Sequence, residues 1–194
     1  MDMIYLSEYR FTDGNLIILY AIHSQPSRKQ NEIPDYINER VKVCLNTYRI
    51  TIQSRPDGNK TTILIVGSQP DIKNITETLI KAGIGPDIIT SDHQSKDITQ
   101  CFDHVKAIIR SRPNPPNLYF IGSVWLREIY DTVVVSRLNG YRIQFEGALD
   151  HRPVKEVKEE KALNAPKKGL GHYKRKAKDK AIDLVLNRMF PEGK

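Results

Sequence analysis

The stretch NLIILYAIH, residues 15–23, carries no charged side chain and is apolar almost throughout. A short, continuous apolar run of this kind is typical of a strand that is buried on both faces, as strands of parallel sheets are. A membrane-spanning helix would need roughly 20 apolar residues, so the run predicts a core strand instead. A second stretch, TTILIV at residues 61–66, is rich in β-branched residues and predicts another strand.

Segments with helical spacing of apolar residues alternate with these and further strands. The predicted helices cover residues 34–48, a segment between the N-cap Asp71 and Gly83, residues 97–111 and residues 124–138, and the further strands cover residues 87–90, 117–121 and 141–145. This alternation is typical of βαβ units. The sequence therefore predicts an α/β fold, a Rossmann-like three-layer sandwich with a mostly parallel five-stranded sheet, over residues 1–150.

The formal net charge of +7 is confined to the C-terminal part of the chain. Residues 1–150 carry equal numbers of acidic and basic side chains, whereas residues 151–180 carry eleven basic and four acidic ones. We therefore expect a second region, residues 151–194, made of a basic linker and a C-terminal helix that begins near Tyr173. Basic character is then a property of this extension and not of the core.

The extension has the composition of an arm that contacts nucleic acid or another polyanion. Lysine and arginine neutralise phosphates and release counterions, and the glycines among them add flexibility. The residues predicted to bind nucleic acid are Lys167, Lys168, Lys174, Arg175, Lys176 and Lys178. The alternative is a solvated charged tail that ends in a helix packed on the core.

Small polar residues follow three of the predicted strands. Ligands of open parallel sheets bind at the carboxyl ends of the strands, where glycine and serine let backbone N–H groups approach a phosphate. The residues predicted to line such a site are Gly67, Ser68, Ser95, Asp97, Gly122 and Ser123. Tight turns between strands and helices also favour glycine and serine, so a purely structural role stays open.

The chain has none of the common catalytic motifs, namely GxGxxG, the P-loop, GxSxG and HExxH. His23 and His93 follow predicted strands and are candidate proton carriers, with Asp92 and Asp97 near His93 in sequence. The pattern favours the alternative, that these are solvated loop residues. The spacing of histidines and cysteines predicts no metal site, and we expect no cofactor. Trp125 is the only tryptophan, and we expect it in the core or an interface, with base stacking as the alternative.

The N-terminal ten residues lack the apolar segment of a signal peptide. Cys44 and Cys101 fall in helix-patterned segments, without a CxxC motif, and we expect buried free thiols. These features favour a cytoplasmic protein without a membrane span.

Five short motifs occur in a fixed order along residues 14–150. They are Glu39-Arg40 with Val41 and Cys44, Leu64-Ile65-Val66-Gly67-Ser68, Ala82-Gly83-Ile84 followed by Ile88-Ile89 and Ser95-Lys96-Asp97, Ile121-Gly122-Ser123, and Asn139-Gly140-Tyr141. Their order resembles that of the YdcF/SanA/ElyC-like family, a Rossmann-like group known mostly from bacterial envelope-linked proteins.

The chain departs from that family's polar pattern. Ser68 stands where the family has a second glycine, and Leu126 stands where it has a histidine. The family's Ser-x-Asn-Thr-x-Glu-Asn pattern falls on Ser95 to Cys101, where the glutamate, the threonine and both asparagines are lost. The resemblance therefore implies the fold together with an altered or absent activity.

Two functions follow from the sequence. The first is a non-catalytic binding protein with a Rossmann-like core whose basic arm contacts nucleic acid or a ribonucleoprotein. The second is an enzyme that acts on a small phosphate-bearing or nucleotide-like substrate at the strand ends, with His23 or His93 as the proton carrier.

Overall fold

The computed structural model of the protein describes residues 14–23, 33–53, 60–112 and 114–165. The chain divides into two compact units, Met1–Asn164 and Ala165–Lys194, and the helices and strands of the described residues belong to the first. This division after Asn164 lies fourteen residues beyond the boundary at residue 150 that the sequence predicts. None of the helices in the described residues is long and apolar enough to cross a membrane.

Five strands and five α-helices alternate along the first unit. They are β1 (Asn15–Tyr20), α1 (Asp35–Gln53), β2 (Thr61–Val66), α2 (Gln69–Lys81), β3 (Ile89–Asp92), α3 (Ile98–Arg110), β4 (Asn117–Ser123), α4 (Arg127–Arg137), β5 (Ile143–Ala148) and α5 (Val154–Asn164). Short 3-10 turns at Pro86–Ile88 and Val124–Leu126 precede β3 and α4.

The sheet has the strand order β3-β2-β1-β4-β5, and every neighbouring pair is parallel. The predictions of an α/β fold and of a five-stranded, mostly parallel sheet are confirmed. The strand order reverses between β1 and β4, and in open parallel sheets such a reversal leaves a crevice at the carboxyl ends of the strands.

Two apolar clusters cover the two faces of the sheet. On β1, Leu16 and Ile18 contribute to a cluster with α3 and α4, whereas Ile17 and Leu19 contribute to a cluster with α1 and α2. Every residue of β1 is buried, as its continuous apolar sequence requires. Cys44 and Cys101 are free and buried, one in each cluster.

The structure corrects several predicted boundaries. Strand β1 ends at Tyr20, and both β3 and β5 begin two residues further along the chain than predicted. Helix α2 is capped by Ser68, whose hydroxyl accepts a hydrogen bond from the Asp71 backbone N–H, so the prediction of Asp71 as N-cap was wrong. Within the predicted linker, residues 154–164 form helix α5 instead. The predicted C-terminal helix lies outside the described residues.

Candidate ligand site at the carboxyl ends of the strands

A fully buried arginine lies where β1 and β4 diverge. Arg40 comes from α1, and its guanidinium donates to the Tyr20 carbonyl oxygen at 2.8 Å. Its Nε and a terminal nitrogen both donate to Ser123 Oγ at the end of β4, at 3.1 and 2.8 Å. The latter nitrogen also lies 3.1 Å from Glu160 Oε1. Arg40 therefore ties together the ends of two central strands and helix α5.

A second arginine binds the other side of the same glutamate. Arg152 donates to both carboxylate oxygens of Asp150, at 2.9 and 2.6 Å, and to Glu160 Oε2 at 2.6 Å. Its guanidinium carbon lies 3.5 Å from the centre of the Tyr36 ring. Burial lowers the pKa of Arg152, but its bonds to Asp150 and Glu160 outweigh this and raise the pKa.

The carboxylate of Asp150 completes this group of charges. It accepts hydrogen bonds from Ser123 Oγ at 2.8 Å and from the indole nitrogen of Trp125 at 2.9 Å, besides those from Arg152. Burial disfavours its ionised form, but these hydrogen bonds prevail and hold the pKa of Asp150 well below its usual range. Arg40, Ser123, Asp150, Arg152 and Glu160 are called the arginine cluster below. Its two guanidiniums balance its two carboxylates.

Beside the arginine cluster, Asn164 joins α5 to the start of α3. Its side-chain oxygen accepts hydrogen bonds from the Tyr20 hydroxyl and from the Ile98 backbone N–H, the latter at 3.2 Å. Ile98 is the first residue of α3, and its N–H has no acceptor within the helix. Asn164 thereby fills a position that a ligand oxygen takes in many parallel-sheet proteins.

A buried histidine–aspartate pair follows β1. His23 Nε2 lies 3.1 Å from Asp71 Oδ2, and the Ser68 hydroxyl donates to the same oxygen. Burial raises the pKa of Asp71, but the hydrogen bonds from His23 and Ser68 outweigh it and lower the pKa below its ordinary value. The His23 side chain is 5% exposed, and its Nδ1 is buried with no hydrogen-bond partner among the described residues.

Tyr36 is the common neighbour of this pair and the arginine cluster. Its ring meets the His23 ring edge-on with centroids 5.9 Å apart, and the Arg40 guanidinium carbon lies 5.6 Å from its centre. Burial raises the pKa of the Tyr36 hydroxyl to about 12, so the phenol stays neutral. The histidine and both arginines are thus grouped around one aromatic ring.

A second histidine–aspartate pair lies at the end of β3. Asp92 accepts hydrogen bonds from Ser95 Oγ at 2.5 Å and from the backbone N–H groups of Gln94 and Ser95. The side chain of His104, on α3, also contacts this carboxylate, with Nδ1 lying 2.8 Å from Asp92 Oδ2. Burial opposes ionisation, but these bonds lower the pKa of Asp92 to about 2.

The predicted site residues all lie at the carboxyl ends of strands, but they do not form one group. Ser123 belongs to the arginine cluster, Ser68 contacts Asp71, and Ser95 contacts Asp92. The remaining three serve the fold. Asp97 caps α3, the Gly67 N–H donates to the Asp92 carbonyl, and a side chain at Gly122 would press on Phe120 and Leu126.

The interpretation of His93 as a solvated loop residue agrees with the structure, and the alternative, a pair with Asp92 or Asp97, is not found among the described residues. His93 is exposed in the loop after β3, and the histidine that reaches Asp92 is His104. His23, in contrast, is buried, and its acidic partner is Asp71. Trp125 packs against the apolar core and donates to Asp150, in keeping with the expected core position.

The basic residues of the predicted arm divide between the two units. Arg152 is buried in the arginine cluster and is not a surface cation. Lys167, Lys168, Lys174, Arg175, Lys176 and Lys178 lie outside the described residues. Residues 166–180 contain seven basic side chains and one acidic one, so most of the charge excess lies there.

The residues of the site that were not predicted to line it include Tyr36, Arg40, Asp71, Asp150, Arg152, Glu160 and Asn164. Within the described part of the chain, no group of three or more histidine, cysteine, aspartate or glutamate side chains is arranged to hold a metal ion.

No protein-family model matches the chain, and neither a curated protein nor a solved structure is significantly similar to it.

Proposed function

We propose that this Rossmann-like domain binds a small phosphate-bearing or nucleotide-like molecule at the carboxyl ends of its strands and exchanges a proton with it through His23. The observation that carries the proposal is the Nδ1 atom of His23, which is buried and has no hydrogen-bond partner among the described residues. Buried polar atoms are almost always hydrogen-bonded to protein, water or ligand. A buried ring nitrogen that none of the described residues contacts therefore favours a bound molecule.

The Asp71 carboxylate suits His23 to acid–base work. A carboxylate on one ring nitrogen fixes the orientation of the imidazole and supports its protonated form when the other nitrogen takes a proton. The lowered pKa of Asp71 keeps this carboxylate ionised near neutral pH. Nδ1 is then the nitrogen that faces the reacting group, as a general base or acid requires.

The two arginines supply the recognition of an anion. An arginine fork matches phosphate or carboxylate oxygens with two parallel hydrogen bonds. Arg40 and Arg152 both lie against Tyr36, which also contacts His23. A phosphate held by these arginines would place the rest of its molecule near His23.

The resemblance to the YdcF/SanA/ElyC-like family is retained as part of this proposal. Two of the positions that carry it, Arg40 of the first helix and Ser123 at the end of the fourth strand, are hydrogen-bonded to each other at 2.8 Å. That contact supports a shared construction of the site.

The test is a titration of the full chain with inorganic phosphate and with nucleoside monophosphates, followed by fluorescence of Trp125. The indole donates to Asp150 of the arginine cluster, so its emission reports on the site. Calorimetry in two buffers of different ionisation enthalpy measures the protons exchanged on binding. We expect binding with proton exchange near neutral pH, and loss of the exchange in His23→Gln.

The exposed His93 provides the control. His93→Gln should bind and exchange protons as the unmodified protein does, because its side chain lies outside the group around Tyr36. The proposal fails if no phosphate compound binds, or if His23→Gln binds with unchanged proton exchange.

A second candidate function is the binding of nucleic acid or a ribonucleoprotein by the basic extension, with the core as a non-catalytic scaffold. The concentration of seven basic side chains and one acid in residues 166–180 supports it. The two functions use different parts of the chain and are tested separately.

A further inference from the structure

Helix α5 is attached to the domain by polar side chains. Its two buried residues are Glu160 and Asn164. Among the described residues, the two apolar clusters draw on the sheet, on α1 to α4 and on their connecting segments, and neither contains a residue of α5. A helix is usually anchored by an apolar stripe. This one is anchored by a carboxylate and an amide.

The carboxylate occupies the place of an anionic ligand. Glu160 Oε1 contacts Arg40 at 3.1 Å and Oε2 contacts Arg152 at 2.6 Å, and the Glu160 side chain is fully buried between them. The two arginines come from different elements and converge on the two oxygens of one group. A phosphate or carboxylate of a bound molecule has the same charge and oxygen spacing that these arginines accept.

The amide occupies a second such place. Asn164 presents its oxygen to the Ile98 N–H at the start of α3 and to the Tyr20 hydroxyl. One helix therefore contacts both the arginine fork and the adjacent donor pair at the carboxyl ends of β1 and β4.

We propose that α5 is a displaceable closure of the ligand site, in which Glu160 stands in for the oxyanion of the ligand. The proposal rests on the proposed function, since it assumes that an anion binds at this edge of the sheet. When α5 leaves, Glu160 returns to water and the ligand oxyanion takes its place on Arg40 and Arg152. A buried arginine without a counter-charge would cost much free energy. In both states each arginine keeps a counter-charge, so this cost does not arise.

With a closure of this kind, the apparent affinity for the ligand equals the affinity of the open form multiplied by the fraction of molecules that are open. A change that weakens the hold of α5 should therefore strengthen ligand binding. A helix that is merely structural would give the opposite result, because loosening it would disorder the site.

The experiment compares the full chain with Glu160→Gln and with the matched control Glu159→Gln, the neighbouring exposed glutamate of α5. The probe is inorganic phosphate, with acetate at equal ionic strength in a parallel titration, and the readout is Trp125 fluorescence. We expect Glu160→Gln to bind phosphate at least tenfold more tightly than the other two proteins. Tighter binding of phosphate than acetate would assign the site to phosphate, and the reverse to carboxylates.

Hydrogen exchange of the unmodified chain gives a second measurement that needs no variant. We expect added phosphate to speed exchange of the α5 amides while those of β1 and β4 stay protected. Asn164→Ala loosens α5 without altering the arginines and should also raise the affinity, should Glu160→Gln fail to fold.

The outcomes separate this inference from the function on which it rests. If the unmodified chain binds phosphate but Glu160→Gln and Asn164→Ala bind no more tightly and α5 stays protected, the closure is overturned and anion binding stands. If no protein binds phosphate or acetate, the proposed function fails and the closure fails with it.

Discussion

The guanidinium carbon of Arg152 lies 3.5 Å from the centre of the Tyr36 ring, while its nitrogens bind two different carboxylates. A planar guanidinium can stack on a ring and donate in its own plane at the same time, whereas an ammonium cannot. The residue is therefore specified as arginine and not only as a cation.

Arg152→Lys should destabilise the protein by about 3 kcal/mol, because a lysine cannot bridge Asp150 and Glu160 and leaves buried carboxylate oxygens unpaired. Urea unfolding followed by circular dichroism measures the loss. The control is Arg127→Lys, whose partner Asp131 is exposed, and which should change the free energy of unfolding by less than about 1 kcal/mol. Equal effects of the two substitutions would contradict the role given to Arg152.

Gly14→Ala should be far more harmful than Gly83→Ala. Both glycines have positive φ, +88° and +91°, which costs an alanine about 1–2 kcal/mol. At Gly14 the added methyl would also lie 2.3 Å from the Lys60 carbonyl oxygen, whereas nothing lies within 4 Å at Gly83. Thermal unfolding of the two variants should show a clearly larger fall in Tm for Gly14→Ala, and similar falls would refute the close approach to Lys60.

Asp92 should contribute to stability against acid. Its pKa of about 2 in the folded protein lies below its ordinary value of 3.8, so it binds a proton more weakly when folded. The stabilisation is therefore present above pH 4 and is lost as the pH falls toward 2. The difference in free energy of unfolding between the unmodified chain and Asp92→Asn should shrink over that interval.

The exposed Asp131 serves as the control for this measurement. Asp131→Asn should follow the unmodified chain in its pH dependence between pH 4 and 2. A stability difference for Asp92→Asn that stays constant over the same interval would contradict the hydrogen-bonded state of Asp92.

We expect the binding of nucleic acid to be lost when the positive charges of the basic extension are removed. The variant replaces Lys167, Lys168, Lys174, Arg175, Lys176 and Lys178 by glutamine. The charge-matched control replaces six exposed basic residues of the core, Lys42, Lys60, Lys73, Lys81, Lys96 and Arg110. We expect the unmodified chain and the control to bind labelled RNA or DNA at about 50 mM salt and to weaken steeply by about 200 mM. Weakened binding by the control alone would assign any such activity to the core.

The alternation of strands and helices could be read from the sequence because each core strand is apolar on both faces. Residues 61–66 matched β2 at both ends, since Val66 is followed by a glycine and a capping serine. The starts of the weakly apolar edge strands β3 and β5 were predicted two residues too early, because their half-exposed side chains carry little periodic signal.

The sequence placed three serines of the candidate site at the ends of strands, but it did not predict the charged side chains that they contact. The rule that ligands bind at strand ends located Ser68, Ser95 and Ser123. Glu160 was hidden in the charged run Lys158-Glu159-Glu160-Lys161, which is typical of a solvated helix face. Arg40 lies 120 residues away from Glu160 in sequence, and only the folded chain brings them together.

The two histidine–aspartate pairs also could not be predicted from distance along the sequence. Nearness in sequence offered only His93 as a partner for Asp92, but the loop after β3 turns His93 outward while α3 returns along the sheet and brings His104 to the carboxylate. A helical residue can approach the end of the preceding strand more closely than a residue of the intervening loop does.

The position of β1 between β2 and β4 also bears on how the chain emerges during synthesis. β2 can pair with β1 as soon as Val66 has been made, but β4 does not exist until the ribosome has reached Ser123. At about 5–20 residues per second, the backbone N–H and C=O groups on one edge of this apolar central strand stay unpaired for several seconds. The nascent chain therefore exposes during that interval the surface most prone to pair with a neighbouring chain.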